Sequence, residues 1–223
     1  MTAGLGRCVR MALGLCLLVS TAAACSPPGL AEPEPVPSEQ LELGIVRAVD
    51  LLKVPGLGTM RRLSPAELPD YQGPELRGAC GTVIPQPAGT NNRLAAAFVG
   101  DVAAVSEVVV AMDGSDAKEL VGNVREKPED CEPVEAVGSD GQVQTYTPGD
   151  LVDIGRVGDD RVATQATLTV DDQRTYLSTI LVRSGDTLVH GQIMSDVPIE
   201  QETITELAKL FHEASEELEN ESA

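Results

Sequence analysis

Two histidines, two pairs of adjacent aspartates and a pair of well-separated cysteines are the residues of this sequence with chemistry to offer. A general-base mechanism needs a histidine within hydrogen-bond reach of a nucleophile and an acid to orient it. His190 stands beside Gly191 in a run that reads as a strand, and His212 follows Phe211 on an amphipathic stretch. No GxSxG elbow accompanies either histidine, so both read as structural residues. The catalytic alternative is a hydrolase or isomerase using His190 with a nearby carboxylate. No HExxH motif or paired Cys/His spacing is present, so neither a metal centre nor a cofactor is expected. Asp159-Asp160 and Asp171-Asp172 fall where turns are expected, and aspartate suits turns because its side chain bonds the local backbone. The segment DGSDAKE at 113–119 lacks the spaced ligands and closing Glu of a calcium loop. Gly56-Leu57-Gly58 has neither the third glycine nor the Lys-Ser/Thr of a phosphate loop.

The cysteines are best read together with the start of the chain. Arg7 and Arg10 precede an apolar run from Met11 to Val19, which leads into the small residues Ser20 to Ala24 and then Cys25. A charged start, a short apolar core and a small-residue cleavage site describe an export signal over residues 1–24. The apolar run is well short of the ~20 residues that span a bilayer. Ala22-Ala23-Ala24-Cys25 looks like a bacterial lipobox, in which the Cys25 thiol is acylated and becomes the new N-terminus. The alternative is ordinary signal cleavage, with Cys25 an unmodified thiol. Residues 26–37 read SPPGLAEPEPVP. Proline fixes φ and removes backbone donors, so residues 25–37 are expected to form a disordered, extended tether. At ~3.1 Å per residue it could hold a domain roughly 30–40 Å from a membrane. Cys80 and Cys131 then remain as an even pair in an exported domain, where oxidising conditions favour a structural disulfide.

Charge and ring content exclude other classes. The 223 residues hold 16 Lys+Arg against 35 Asp+Glu, a formal charge of -19. Losing Arg7 and Arg10 with the signal leaves 14 basic and 35 acidic residues, or -21. Such a surface repels phosphate backbones and anionic lipids, so no nucleic acid partner is expected. There is no Trp, and five Phe and Tyr residues are too few for base-stacking platforms. A hydrophobic content of 42% still supports a core of Val, Leu, Ile and Ala.

These residues need elements to hold them. Leu41, Ile45, Ala48 and Leu52 recur at helical spacing after Ser38, a suitable N-cap. LSPAELP at 63–69 reads as one helical turn between prolines. Thr82 to Ile84, Leu94 to Val99 and Ser106 to Met112 are strand-like apolar runs. A helix capped by Ser115 follows, with Ala117, Leu120, Val121 and Val124 as its stripe; it ends at Pro128 and is expected to cover those strands. Strands near 151–157, 161–170, 174–183 and 187–195 are separated by turn residues, and an amphipathic helix from about Pro198 closes the chain. The expected fold is α+β, a mostly antiparallel sheet with packed helices and one disulfide over residues 38–218, followed by a disordered tail at 219–223.

LSPAELP, the Cys80…Cys131 pair, the stripe DAKELVGNVRE before the second cysteine and the closing helix together resemble the extracellular sensor domain of actinobacterial Ser/Thr protein kinase H. The likeness covers roughly residues 63–218, and departs from the family in having no Trp and only two cysteines free to pair. The resemblance implies an α+β domain with a cleft for an unknown ligand, a domain also found on stand-alone lipoproteins. It carries over no motif residues. The expected protein is a lipid-anchored, extracytoplasmic lipoprotein on the cell membrane, with a non-catalytic, sensor-like domain that binds a small molecule or an envelope protein. A concave apolar pocket near the sheet would mark that function. Its rivals are an envelope enzyme using His190 and a chaperone-like or structural lipoprotein with a broad exposed apolar patch.

Overall fold

Val105 and Val109 point to one side of a nine-residue strand while Val108 and Val110 point to the other, and all four are buried. A strand buried on both faces must lie inside a sheet covered on two sides. That is the arrangement in the computed structural model of the chain, which describes residues 36–68, 73, 76, 77, 80, 92–126, 131–137 and 142–222. Its strands are β1 (Arg61–Arg62), β2 (Arg93–Val99), β3 (Ala103–Ala111), β4 (Val134–Val137), β5 (Val143–Val152), β6 (Asp160–Val170), β7 (Gln173–Ser184) and β8 (Thr187–Ser195). They form one sheet in the order β1-β2-β3-β8-β7-β6-β5-β4, with every pairing antiparallel. The α+β class read from sequence holds.

Turn chemistry sets the register. Asp171 and Asp172 take φ of 46° and 63° between the paired residues Val170 and Gln173. Two left-handed residues in a two-residue loop match the right-handed twist of a hairpin, which is why short polar side chains sit there. β7 and β8 join through Gly185 and Asp186, and Asp159 Oδ2 accepts the Gly185 N–H at 2.8 Å. Both aspartate pairs therefore serve the fold, and Asp160 meets the Arg125 guanidinium on α3.

One helix layer lies on each face. The helix α4 (Gln201–Ser222) buries Ile204, Leu207, Ala208, Phe211 and Leu218 against Val105, Val109, Ile180, Val182, Val189 and Ile193. On the opposite face α3 (Gly114–Arg125) buries Ala117, Leu120, Val121 and Val124 against Val162, Leu181 and Leu188. The apolar stripe of α3 is the one read from sequence, but among the described strands the helix packs mainly on β6, β7 and β8 rather than on β2 and β3 before it. The crossover to the far edge of the sheet carries it there. Its cap also differs: Asp113 occupies the N-cap and accepts the Ser115 N–H at 2.8 Å, leaving Ser115 in the first turn.

Other expectations change for identifiable reasons. The helix expected from Ser38 is broken into α1 (Ser38–Leu41), a 3-10 turn (Glu42–Gly44) and α2 (Ala48–Leu51), because Ile45 and Arg47 are extended. Pro37, not Ser38, precedes the first turn. Val36 donates to Asn92 Oδ1 at 2.9 Å and packs on the core, so Val36 and Pro37 belong to the folded body and not to the tether. Ser64 and Glu67 form the single turn expected in LSPAELP, with the Glu67 N–H 2.9 Å from the Ser64 carbonyl. The strand expected at 151–157 is mostly a loop: Gly155 and Gly158 take φ of 69° and 62°, which let Ile154 and Val157 turn into the core. The closing helix begins at Gln201 and runs through 219–222, replacing most of the expected disordered tail, because buried Leu218 keeps its last turns on the body. Residues 1–24, Cys25, the 82–84 strand and Pro128 lie outside the described residues.

Cys80 and Cys131 are joined, with Cα atoms 5.1 Å apart. The bridge closes a sequence separation of 51 residues. Chain entropy alone assigns about 4 kcal/mol to such a loop. Replacing both cysteines by serine is expected to cost about 2–4 kcal/mol. Denaturant melts of the variant and the parent check this, and coincident midpoints would refute it.

Candidate functional site

His190 lies on β8 between Val108 and Leu181 of the neighbouring strands, on the face toward α3. It is buried, and its Nε2 has no hydrogen-bond partner among the described residues. Burial pushes its pKa down to about 4, with the Arg93 charge adding to the effect. Among the described residues this neutral imidazole has no carboxylate partner of the kind that base catalysis requires. His190 therefore sits in the core beside the candidate hollow described below and not on its lining.

His212 is the more suggestive histidine. Ser184 Oγ stands 2.9 Å from its Nδ1, and Glu216 Oε1 lies 3.7 Å from its Nε2. These are the residue types of a hydrolytic triad, brought together by the packing of α4 on the end of β7. Access argues for a different role. Ser184 is only 4% exposed; its hydroxyl lies 3.0 Å from that of buried Ser215, which donates to the His212 carbonyl at 2.7 Å. A nucleophile must meet its substrate and an oxyanion must meet donors. This hydroxyl is sealed between strand and helix, where it pins α4 to the sheet. The i, i+4 spacing of His212 and Glu216 was legible in the sequence, but Ser184 was not, because only the fold brings it there.

Hollows of ligand size among the described residues include wide depressions of about 440 and 430 Å³ along β5 and β6 and two that are more enclosed. One of about 500 Å³ lies between the N-terminal turns and α4. Its cations are engaged by its own carboxylates: Arg47 and Lys53 both hold Asp50, at 2.6 and 2.8 Å, and Arg62 holds Glu42. It is a solvated groove bridged by its own ion pairs.

The second hollow, about 190 Å³, lies on the half of the α3 face that α3 leaves open. Pairing builds its floor. Thr179 of β7 stands opposite Gln192 of β8, and Leu177 opposite Met194 one step further along. Leu168 of β6 faces Tyr146 of β5, which faces Val134 of β4. The Arg77 guanidinium sits 5.5 Å from the Tyr146 ring centroid, and Gln144 completes the rim. Leu168, Leu177, Met194 and Val134 make the walls apolar. The side chains of Gln144, Thr179 and Gln192 and the Tyr146 hydroxyl make no hydrogen bond among the described residues. Burial raises the Tyr146 pKa and the nearby Arg77 charge opposes this, so the hydroxyl remains a neutral donor. Apolar walls around a few convergent, unengaged polar groups are the makings of a small-molecule site. Their signal in the sequence was faint: a polar residue in each of two apolar strands, aligned only by register.

The fold and the hollow together define an α+β domain with a helix packed on each sheet face, the part of the α3 face that α3 leaves open carrying a small amphiphilic pocket. No family model matches the chain, and no curated protein sequence does. Comparison with solved structures finds similar mycobacterial domains, one of them with the same fold. The extracellular domain of PknH from Mycobacterium tuberculosis aligns with a TM-score of 0.55 at 14% identity, covering 82% of this chain and 98% of that one. An uncharacterized protein from Mycobacterium smegmatis, an Rv0999 ortholog, aligns with a TM-score of 0.40 at 15% identity over 78% of this chain and 97% of its own. The resemblance to the kinase H sensor domain drawn from the sequence thus holds at the level of the fold.

Proposed function

We propose that this chain is a lipoprotein moored through an acylated Cys25 to the outer face of the cytoplasmic membrane, and that its folded body binds a small molecule or an envelope partner without catalysing a reaction. The observation that carries the binding role is the open-face pocket, where Thr179, Gln192, Gln144 and the Tyr146 hydroxyl converge unengaged between apolar walls. The mooring is supported by the export signal and lipobox-like start, by the disulfide, which forms in oxidising compartments, and by a fold shared with a domain described as extracellular. Among the described residues no helix is long and apolar enough to cross a membrane, so the lipid is the anchor in this reading.

A protein partner is favoured over a free metabolite by one further feature. Val102 and Val197 are 51% and 58% exposed at the end of the sheet where Met194 forms a pocket wall, and the Ser195 hydroxyl ties the two loops by donating to the Val102 carbonyl at 3.0 Å. The apolar surface thus continues from the pocket onto the rim.

Native mass spectrometry of the protein purified from its own envelope tests the binding role. The expected spectrum contains a bound species that is lost in Thr179→Phe, a variant whose ring fills the hollow. A wild-type chain that is always bare, or a species retained unchanged by the filled variant, would overturn the assignment to this pocket.

A further inference from the structure

We propose that the groove between the N-terminal turns and α4 docks a basic, amphipathic segment of another protein, one offering two cationic side chains with apolar ones between them. This site lies on the α4 side of the sheet, opposite the pocket beside α3, and does not depend on it.

Charge sets the sign of the occupant. Arg47 and Lys53 are held by Asp50, and Arg62 by Glu42, so an anion entering the groove has to displace carboxylates already in place. Glu213 and Glu217 of α4 also line the groove; both are exposed and form no hydrogen bond or ion pair among the described residues. Glu217 lies within electrostatic reach of Arg47, whose main partner is Asp50. Four positions apart on a helix, the two carboxylates are neighbours on one face, about 6 Å from each other. In a chain of formal charge -19 the wider field also favours a cation.

Apolar surface sets its kind. Leu43 is exposed in the groove, and Ala48 and Leu210 are partly so. A volume of about 500 Å³ accommodates several side chains. A bare metal ion is unsuited, because the described residues place no group of three or more His, Cys, Asp or Glu to hold one. A free polyamine neutralises the carboxylates but leaves the apolar surface in water, where it gains nothing from burial.

The chain does not supply such a segment itself. Beyond Arg7 and Arg10 of the signal-like start, the only basic residue outside the described ones is Lys127, which follows α3 on the other face. Residues 26–35 contain Glu32 and Glu34 and no Lys or Arg. A second copy brings a second strongly negative body, which repels the first. The occupant is therefore a different protein.

The probe is the peptide KLLAKLLA, with ELLAELLA, KSSAKSSA and spermine as comparisons. The full chain is labelled at its leucine methyls, where Leu43 and Leu210 report on the groove and buried Leu181, on the opposite face, is the control. KLLAKLLA is expected to move Leu43 and Leu210 and leave Leu181 in place. Glu213→Gln with Glu217→Gln should weaken it about tenfold, as expected for two surface ion pairs. Removing two exposed charges from α3, by Asp116→Asn with Glu119→Gln, should leave its affinity unchanged. Equal weakening by both double variants, or equal binding of ELLAELLA, would overturn the role of the α4 carboxylates. Spermine or KSSAKSSA binding as tightly as KLLAKLLA would overturn the amphipathic occupant. Groove signals that shift on dilution of the chain alone, or on removal of residues 1–24, would assign the groove to a second copy or to the chain's own start and overturn the foreign partner. Failure of KLLAKLLA to move Leu43 and Leu210 would overturn the site.

Discussion

Stability is expected to fall as the pH rises from about 6.5 to about 8, and Glu107→Gln is expected to remove that fall. Glu107 is fully buried on β3, facing the α4 side of the sheet among Val105 and Val109. Its Oε2 accepts the Val46 N–H at 3.1 Å, the donor freed where the N-terminal helix breaks, and its Oε1 has no partner among the described residues. Burial raises its pKa from 4.5 to about 8; the Val46 hydrogen bond and Arg62 pull it down, and Glu42 pushes it up. The folded chain therefore keeps a proton that the unfolded chain releases. Stability from this group is complete below pH 4.5 and is lost as the pH climbs through about 8. His190 acts with the opposite sign, because its folded pKa is lowered from 6.5 to about 4, so its contribution is lost as the pH falls through that interval. Between pH 4.5 and 6.5 the two slopes oppose, and above 6.5 the Glu107 slope stands alone. That leg amounts to about 2 kcal/mol, which shifts the melting temperature by about 4–8 °C. Melting curves from pH 5 to 9 check it, and a fall of the same size in Glu107→Gln would show that another group is responsible.

Gly191→Ala is expected to be among the most damaging single-methyl additions to this protein. Gly191 lies on β8 directly beneath α4, and a Cβ built there would stand 2.0 Å from Phe211 Cε2 and 2.3 Å from Cζ. Phe211 is fully buried between helix and sheet, so its ring has no free volume into which to rotate. Overpacking typically costs about 1–3 kcal/mol and occasionally more. The contact predicted by this geometry puts Gly191→Ala at the upper end. Phe211→Ala is expected to cost about 3–5 kcal/mol by opening a cavity. In that background the added methyl should be almost harmless, so the two changes should couple by about 2 kcal/mol in a double-mutant cycle. Additive losses would mean that the ring and the glycine do not meet as described.

Whatever was written in local periodicity was legible beforehand. The stripe Ala117, Leu120, Val121 and Val124 and the one running from Ile204 to Leu218 each mark a helix, and β6, β7 and β8 fall within a residue or two of their expected bounds. The Cys80–Cys131 bridge was expected from the even pair of cysteines beyond the export-signal-like start. Other features depended on distant partners. Most of β5 was hidden because Pro148-Gly149 reads as a turn, whereas in the sheet it sits at an irregularity between Pro148 and Leu151 where a proline is tolerated. The break at Ile45–Arg47 is stabilised by Glu107, whose sequence separation from Val46 is 61 residues, so no local pattern announces it. A charge inside SEVVVA was the available clue, and it went unread beside the valines. The pocket was expected near the sheet, but its residues come from β4 to β8 and from Arg77, and only strand register brings them together.

In the proposed reading, an exported, moored domain accounts for the disulfide, the strongly acidic composition and the open-face pocket. The acylation of Cys25 is therefore the claim on which the functional account stands. Metabolic labelling with radioactive palmitate, comparing the wild-type chain with Cys25→Ala in cells of its own kind, measures it directly. The account requires label on the wild-type protein in the membrane fraction and none on the variant, which should be released or accumulate uncleaved. An unlabelled wild-type chain recovered from the cytosol with residues 1–24 still attached would contradict it.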